Sequence, residues 1–197
     1  GHLRIQFIGH ASFLVRSPGG VKVITDYNDN YRADVVPDIV TMNIQRGNHA
    51  AYNIEASITH VLRGWSTDGG VQRHDVTLRD VRVYNLPTNI FGDAGGATNG
   101  NSVFVFEAAG ICAAHLGHLA HKLSKEQVRR IGRIDVLFVP IDGTVTLSHA
   151  EAFDIIEQIN PKIIMPMHFS FGGPAEFIEI ARTKFPVKRH PGNYIDI

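Results

Sequence analysis

Two apolar runs in the second half of the chain constrain its fold more than any other feature. Ile134–Pro140 and Lys162–Met167 are almost uninterrupted apolar stretches of strand length, a pattern typical of strands covered on both faces. Capping-box patterns at Ser124-Lys-Glu-Gln and Ser148-His-Ala-Glu predict helices to about residues 131 and 158. A third stretch, Pro174–Lys184, has helical spacing of apolar residues. Helices therefore alternate with buried strands in this half.

The first half of the chain is a series of short strands separated by turns. Leu3–Ile8 and Ser12–Arg16 are apolar runs, and Ser17-Pro-Gly-Gly after them is a hairpin signal. Further strands are predicted at Val21–Thr25, Ile39–Met42, Val61–Trp65, Gln72–Leu78, Val81–Leu86, Val103–Glu107 and Ile111–Ala114. No linker or repeat interrupts the pattern, so we expect residues 1–197 to form one α/β domain of layered sheets with outer helices.

Composition narrows the classes of function. Lys and Arg together number 19, as do Asp and Glu, so net charge gives no indication of binding to nucleic acid or to a membrane surface. No apolar run has the length of a membrane span. The single cysteine, Cys112, rules out an internal disulfide framework, and a cytoplasmic location is the expectation. The chain has 11 histidines, residues that metal sites recruit.

Five segments in order resemble one family. They are Gly9-His-Ala-Ser-Phe-Leu-Val with Gly19-Gly-Val-Lys-Val-Ile-Thr-Asp, Asn101-Ser-Val-Phe-Val-Phe-Glu, Ala114-His-Leu-Gly-His-Leu, Ile134-Asp-Val-Leu-Phe-Val-Pro-Ile-Asp-Gly and Pro161-Lys-Ile-Ile-Met-Pro-Met-His. Together they resemble the metallo-β-lactamase superfamily, in the branch of ascorbate-6-phosphate lactonase-like and Zn-dependent hydrolase-like proteins. The resemblance implies an αββα four-layer sandwich with a metal site along one edge.

The metal-binding signature of that family is largely replaced in this chain. Where the family has His-x-His-x-Asp-His, the sequence reads Ile44-Gln-Arg-Gly-Asn-His, which retains only His49. Ile90 stands where this branch often has a further histidine, and His118 replaces the bridging aspartate. The last ligand is retained as His168. Carried over residue by residue, the resemblance leaves two of seven ligands.

These substitutions disfavour the dinuclear zinc chemistry of the family. Two divalent cations require carboxylates to bridge them and to offset their charge, whereas Arg46 brings a fixed positive charge. Our main prediction is therefore a non-canonical or inactive relative that binds a small anion in the old active-site cleft. The predicted ligand-binding residues are Arg46, Asn48, His49, His118 and His168.

The alternative is a hydrolase of lactones or phosphoesters that uses one divalent metal, with zinc as the first choice. His49, His118 and His168 would be its ligands, because three histidines leave a fourth position open for water.

Four further polar residues are candidates for supporting roles. His10 either faces the pocket or, as we favour, makes a structural hydrogen bond, and for His115 we favour a place in the core or behind the site. Asp26 matches the aspartate that orients a metal-binding histidine in active relatives, and Arg46 is a plausible new partner for it. Asp142 is a weaker candidate for the pocket rim. The glycine-rich stretch 92–100 is predicted to form a loop over the pocket.

Overall fold

The computed structural model describes residues 1–90, 97–169 and 173–197, which form two six-stranded sheets. The first sheet contains β1 (Arg4–Gly9), β2 (Ser12–Arg16), β3 (Lys22–Ile24), β4 (Ile39–Met42), β5 (His60–Arg63) and β12 (Tyr194–Asp196), in the order β12-β1-β2-β3-β4-β5. The second contains β6 (Asp75–Leu78), β7 (Val81–Ile90), β8 (Ala97–Ala108), β9 (Ile111–His115), β10 (Val136–Pro140) and β11 (Ile163–Met167), in the order β11-β10-β9-β8-β7-β6.

Three α-helices occur in the described part of the chain: α1 (Lys125–Ile131), α2 (His149–Ile159) and α3 (Ala175–Arg182). The capping boxes predicted at Ser124 and Ser148 are both confirmed, since each hydroxyl accepts the N3 backbone N–H and each N3 side chain bonds back to the cap. Within the described ranges, no helix combines the length and apolar character that crossing a bilayer would require.

Alternation of side chains along the strands explains the long apolar runs. On β8, Phe104 and Phe106 point between the two sheets, whereas Val103 and Val105 pack with the cluster that includes residues of all three helices. The strand is therefore buried on both faces, and the layered sandwich expected from the sequence is confirmed. The prediction that Lys162–Met167 is covered on both faces is wrong, because β11 is an edge strand in which only Met167 is buried.

The outer face of the first sheet is covered by irregular chain rather than by helices. Leu14, Val40 and Met42 pack there against Tyr27 and Trp65, within a cluster that also draws on residues 50–58. These covering segments contain no helix in the described structure. One outer layer of the sandwich is thus helical, and the other is built from irregular chain.

The hairpin of β7 and β8 is longer than the sequence predicted. The strands were expected at Val81–Leu86 and Val103–Glu107, yet they pair as far as Thr88 with Asn101 and Ile90 with Ala97. Cross-strand pairing overrides the low strand propensity of the Asn and Gly residues in 98–101. Part of the predicted loop 92–100 is therefore strand, and its residues 92–96 lie outside the described residues.

Several strands end at the same edge of the sandwich. β3 and β4 are parallel neighbours, as are β9, β10 and β11, so their carboxyl ends coincide within each sheet. Two hydrogen bonds join the sheets at this edge: His168 N–H donates to the His10 carbonyl at 3.0 Å, and the His115 ring donates to the Ala11 carbonyl at 2.7 Å. The chain that follows each strand is thereby brought to one place.

The packing between the sheets gives a first prediction, on stability. Phe138 is fully buried and its ring centroid lies 4.5 Å from that of Phe13 on the opposite sheet. Phe138→Ala should lower the free energy of unfolding by about 3–5 kcal/mol, through lost burial and the cavity left behind. Urea denaturation measures the change, with Tyr52→Ala as the control because that ring is 83% exposed. A loss for Phe138→Ala no larger than for Tyr52→Ala would contradict the described core.

Candidate functional site

Three histidines from three strand ends meet at this edge. His10 follows β1, His49 lies in the loop after β4, and His168 directly follows β11. One ring nitrogen from each can be chosen so that all lie within 4.8 Å of one another. The ring centroids are 4.2 Å apart for His10 and His168, and 5.2 Å for His49 with each of the others.

The backbone at the site is held in a rarely populated conformation. His10, Asp26 and His168 have φ angles of 55°, 48° and 55°, in the left-handed region that side chains with a Cβ usually avoid. Such residues cost about 1 kcal/mol or more each, and they concentrate at functional sites where the surrounding structure imposes them. The strain here falls on residues whose side chains converge.

Asp26 fixes the ring of His49. Its Oδ2 pairs with His49 Nδ1, while its Oδ1 is buried without a hydrogen-bond partner in the described structure. Complete burial raises the pKa of Asp26 to about 7. Burial, aided by the nearby His168 and Arg46, lowers the pKa of His49 to about 3. The pair leaves Nε2 of His49 free to bind a ligand.

Asp142 fixes the ring of His168 in the same way. Its Oδ1 lies 3.0 Å from His168 Nδ1, and its carboxylate also accepts hydrogen bonds from residues 144–146, including the Thr146 hydroxyl. Burial works against ionisation, but these bonds outweigh it and hold the pKa of Asp142 well below its usual range. His168 therefore faces an ionised carboxylate on one side and the cluster on the other.

His118 borders the cluster without belonging to the closest group. Its ring lies edge-on to His49 and His168, at 5.2 and 5.0 Å between centroids. Burial and those two rings lower the pKa of His118 to about 3, and its Nδ1 is buried with no partner among the described atoms. Gly117 permits this placement, since it has φ 62° and a Cβ there would meet Asn43 Nδ2 at 2.3 Å.

The other substituted positions differ in burial. Ile44 is fully buried, whereas Arg46 and Asn48 are exposed. The Asn48 side-chain oxygen accepts a hydrogen bond from Asn30. The predicted pairing of Arg46 with Asp26 is wrong, because Asp26 pairs with His49 instead.

The roles expected for His10 and Asp142 also need revision. The ring of His10 makes no hydrogen bond to any described residue, and it packs against Tyr31, His49 and His168 instead. Asp142 orients a histidine rather than lining a rim. The available signal was positional, since each is a polar residue shortly after a strand. His115, expected in the core or behind the site, is fully buried and bonds to the Ala11 carbonyl.

This arrangement fits one divalent metal ion. Neutral imidazoles are the form that binds metals, and burial lowers the pKa of His10 to about 4, as it does that of His49 to about 3. Carboxylates behind metal-binding histidines fix their rings and increase their basicity, as Asp26 and Asp142 would here. Buried polar atoms without partners, such as Asp26 Oδ1 and His118 Nδ1, call for a further partner.

Comparison with known proteins places this site in a family. A model of the β-lactamase superfamily domain matches residues 4–168. A solved protein of the metallo-β-lactamase superfamily from Thermotoga maritima aligns over 100% of this chain and 92% of its own, with a TM-score of 0.75 and 29% identity.

Two relatives differ in how much of their length is matched. A UPF0173 protein of Pyrococcus abyssi is 45% identical over 65 residues, which is 32% of this chain and only 30% of that protein. A UPF0173 metal-dependent hydrolase of Carboxydothermus hydrogenoformans is 25% identical over 193 residues, 85% of each chain. Because the superfamily model covers most of the sequence and the fold agrees, the chain belongs to the metallo-β-lactamase superfamily.

Proposed function

We propose that this chain is a hydrolase that uses a single divalent metal ion bound by His10, His49 and His168. The observation that carries the proposal is the convergence of three histidine ring nitrogens within 4.8 Å. Two of the rings have a carboxylate behind Nδ1, which is the support that metal-binding histidines usually have.

One metal ion accounts for this residue set better than two. A dinuclear centre needs a carboxylate between its ions, and the position that would supply it carries His118. Three histidines are a known ligand set for a catalytic metal with one open coordination position. His118, the third ligand predicted from sequence, stands beside this group and remains a candidate ligand or a neighbour of the open position.

A divalent metal in this place would supply Lewis-acid activation of water and of a carbonyl or phosphoryl oxygen. The protein's own contribution is to hold His49 and His168 through Asp26 and Asp142, and to keep the rings of His10 and His49 neutral by burial. Lactones and phosphoesters are the substrates that fit this chemistry. The relatives named as metal-dependent hydrolases support the same assignment.

An inactive relative that binds an anion has less support. That prediction combined Arg46 and Asn48 with His49, His118 and His168, but Arg46 and Asn48 are exposed, whereas the three histidines are buried. The buried polar groups beside the histidines are the ring of His118 and the carboxyl groups of Asp26 and Asp142, a set suited to a cation.

Metal content tests the ligand set. His10→Ala, His49→Ala and His168→Ala should each reduce bound metal to below about a tenth of the wild-type content, because two histidines alone hold a metal weakly. Elemental analysis of protein loaded with zinc, manganese or iron and then desalted gives the stoichiometry. His2→Ala is the matched control, since His2 is exposed. If His10→Ala retains one metal per chain and His118→Ala loses it, the third ligand is His118 rather than His10.

The carboxylate behind His168 gives a separate prediction. Asp142→Asn should weaken metal binding by about 10–100-fold, the usual effect of losing such a partner. Competition with a chromogenic chelator measures the affinity. Asp135→Asn is the control, because Asp135 is also a buried, ion-paired aspartate, but it lies just before β10 rather than after it. Equal metal affinity in the two variants would contradict the orienting role of Asp142.

Turnover tests the activity itself. Metal-loaded protein should hydrolyse a lactone or a chromogenic phosphodiester, lose that activity with a chelator, and regain it when metal is restored. His49→Ala should show less than a hundredth of the wild-type rate under the same conditions. Stoichiometric metal without turnover of either substrate class would overturn the proposal of a hydrolase.

A further inference from the structure

A groove of about 950 Å³ runs along the side of the sandwich where both sheets end. Its walls come from β1 and β12 of the first sheet and from the edge strand β11 of the second. Ile5, Phe7 and Ile163 to Pro166 are among the lining residues. The volume and the apolar lining are those of a small-molecule site.

The backbone at this edge is poorly suited to pairing with another strand. Pro166 lies within β11 and has no N–H, so it interrupts the row of donors that an added strand would use. β12, on the other wall, has only three residues. Side chains rather than backbone groups therefore define what this groove can bind.

The chain leading into β12 adds positive charge to the groove. Lys188 and Arg189 both line it and are exposed. Neither forms an ion pair with another residue in the described ranges, and no carboxylate lies among the groove's lining residues. Unpaired Lys and Arg beside an apolar wall complement a ligand that carries a negative group on an apolar body.

The groove adjoins the histidine cluster. Phe169, which lines it, directly follows His168, and its ring stacks on Phe7 with 6.3 Å between centroids. Phe7 N–H also donates to the Asn193 carbonyl at 2.7 Å. Since β12 is antiparallel to β1, the basic segment enters at the end of β1 that leads to His10.

We infer that this groove binds small molecules with an extended apolar body and one anionic group, a carboxylate or a phosphate, and that they are the substrate class of the enzyme. The second half of the inference rests on the proposed hydrolase, whereas the first half stands without it. The apolar body lies along β1 and β11, and the anionic group lies near Lys188 and Arg189.

Binding is tested on metal-free protein, so that it does not depend on catalysis. Titration calorimetry uses decanoate, decyl phosphate and decyltrimethylammonium, each below its micelle concentration. Both anions should bind, and the cation should bind at least tenfold more weakly. Affinity for carboxylates should rise from hexanoate to decanoate by up to about fourfold per methylene, the factor that corresponds to full burial of each group.

Charge variants locate the site. The double variant Lys188→Gln and Arg189→Gln should weaken binding of both anions at least tenfold. The matched control is Lys125→Gln with Arg130→Gln, which removes the same charge from the exposed face of α1. Equal binding of cation and anions, no dependence on chain length, or unchanged affinity in the groove variant would overturn the inference. So would a groove closed by a second copy, seen as a dimer that binds no decanoate.

The substrate assignment has its own readout. Metal-loaded protein is given decyl 4-nitrophenyl phosphate and methyl 4-nitrophenyl phosphate, which differ only in the apolar body. Water's oxygen forms the new bond to phosphorus as the bond to the 4-nitrophenyl oxygen breaks, and one proton goes to each product, the alkyl phosphate and 4-nitrophenol. KM should be at least tenfold lower for the decyl ester, and the groove variant should raise the KM of the decyl ester at least tenfold.

The two proposals fail in distinguishable ways. Binding of decanoate without turnover of either ester overturns the substrate assignment and counts against the hydrolase, but leaves the groove as a binding site. Turnover of both esters with equal KM overturns the substrate assignment and leaves the hydrolase intact.

Discussion

One backbone hydrogen bond holds the candidate site together. His168 N–H donates to the carbonyl of His10 at 3.0 Å, and so connects the end of β11 in one sheet to the end of β1 in the other. Two sheets that pack through apolar side chains alone could slide by a fraction of an ångström at little cost, since that packing has no direction. This bond, together with the one from the His115 ring to the Ala11 carbonyl, fixes their relative position at the edge where the ring nitrogens converge. His10 and His168 both have left-handed φ angles.

The carboxyl groups of the site lie behind the histidines rather than among them. In a dinuclear centre a carboxylate bridges the ions, whereas here Asp26 and Asp142 pair with the far nitrogens of His49 and His168. Each carboxyl group still acts across its ring, because a hydrogen-bond acceptor at Nδ1 makes the other nitrogen a better donor. On the proposed function, the absence of direct carboxylate ligands changes how many ions the site suits, while the site still suits a cation.

Features set by residues close together in sequence were predicted correctly, whereas features set by contacts between distant segments were missed. Capping boxes at Ser124 and Ser148 and the buried strand before Asp142 are encoded locally, and they are found as expected. The meeting of His49 with His168 could be anticipated because a family pattern marks both. His10 was missed because a Gly-His turn does not reveal that β1 ends beside β11. The extent of β7 and β8 was missed for the same reason, since long-range pairing there outweighs local propensity.

The irregular cover of the first sheet has a consequence for how such a site can change. His49 lies in a loop and Asp26 just after a short strand, on the side where no helix packs in the described structure. Loops tolerate insertion and substitution better than packed helices. His168 and Asp142, by contrast, follow β11 and β10, which pair with each other in the sheet that the helices cover. The half of the site formed by His49 and Asp26 can therefore be substituted while the half formed by His168 and Asp142 stays in place. Proteins with this fold can thus exchange ligands on one side of the site at a time and remain folded.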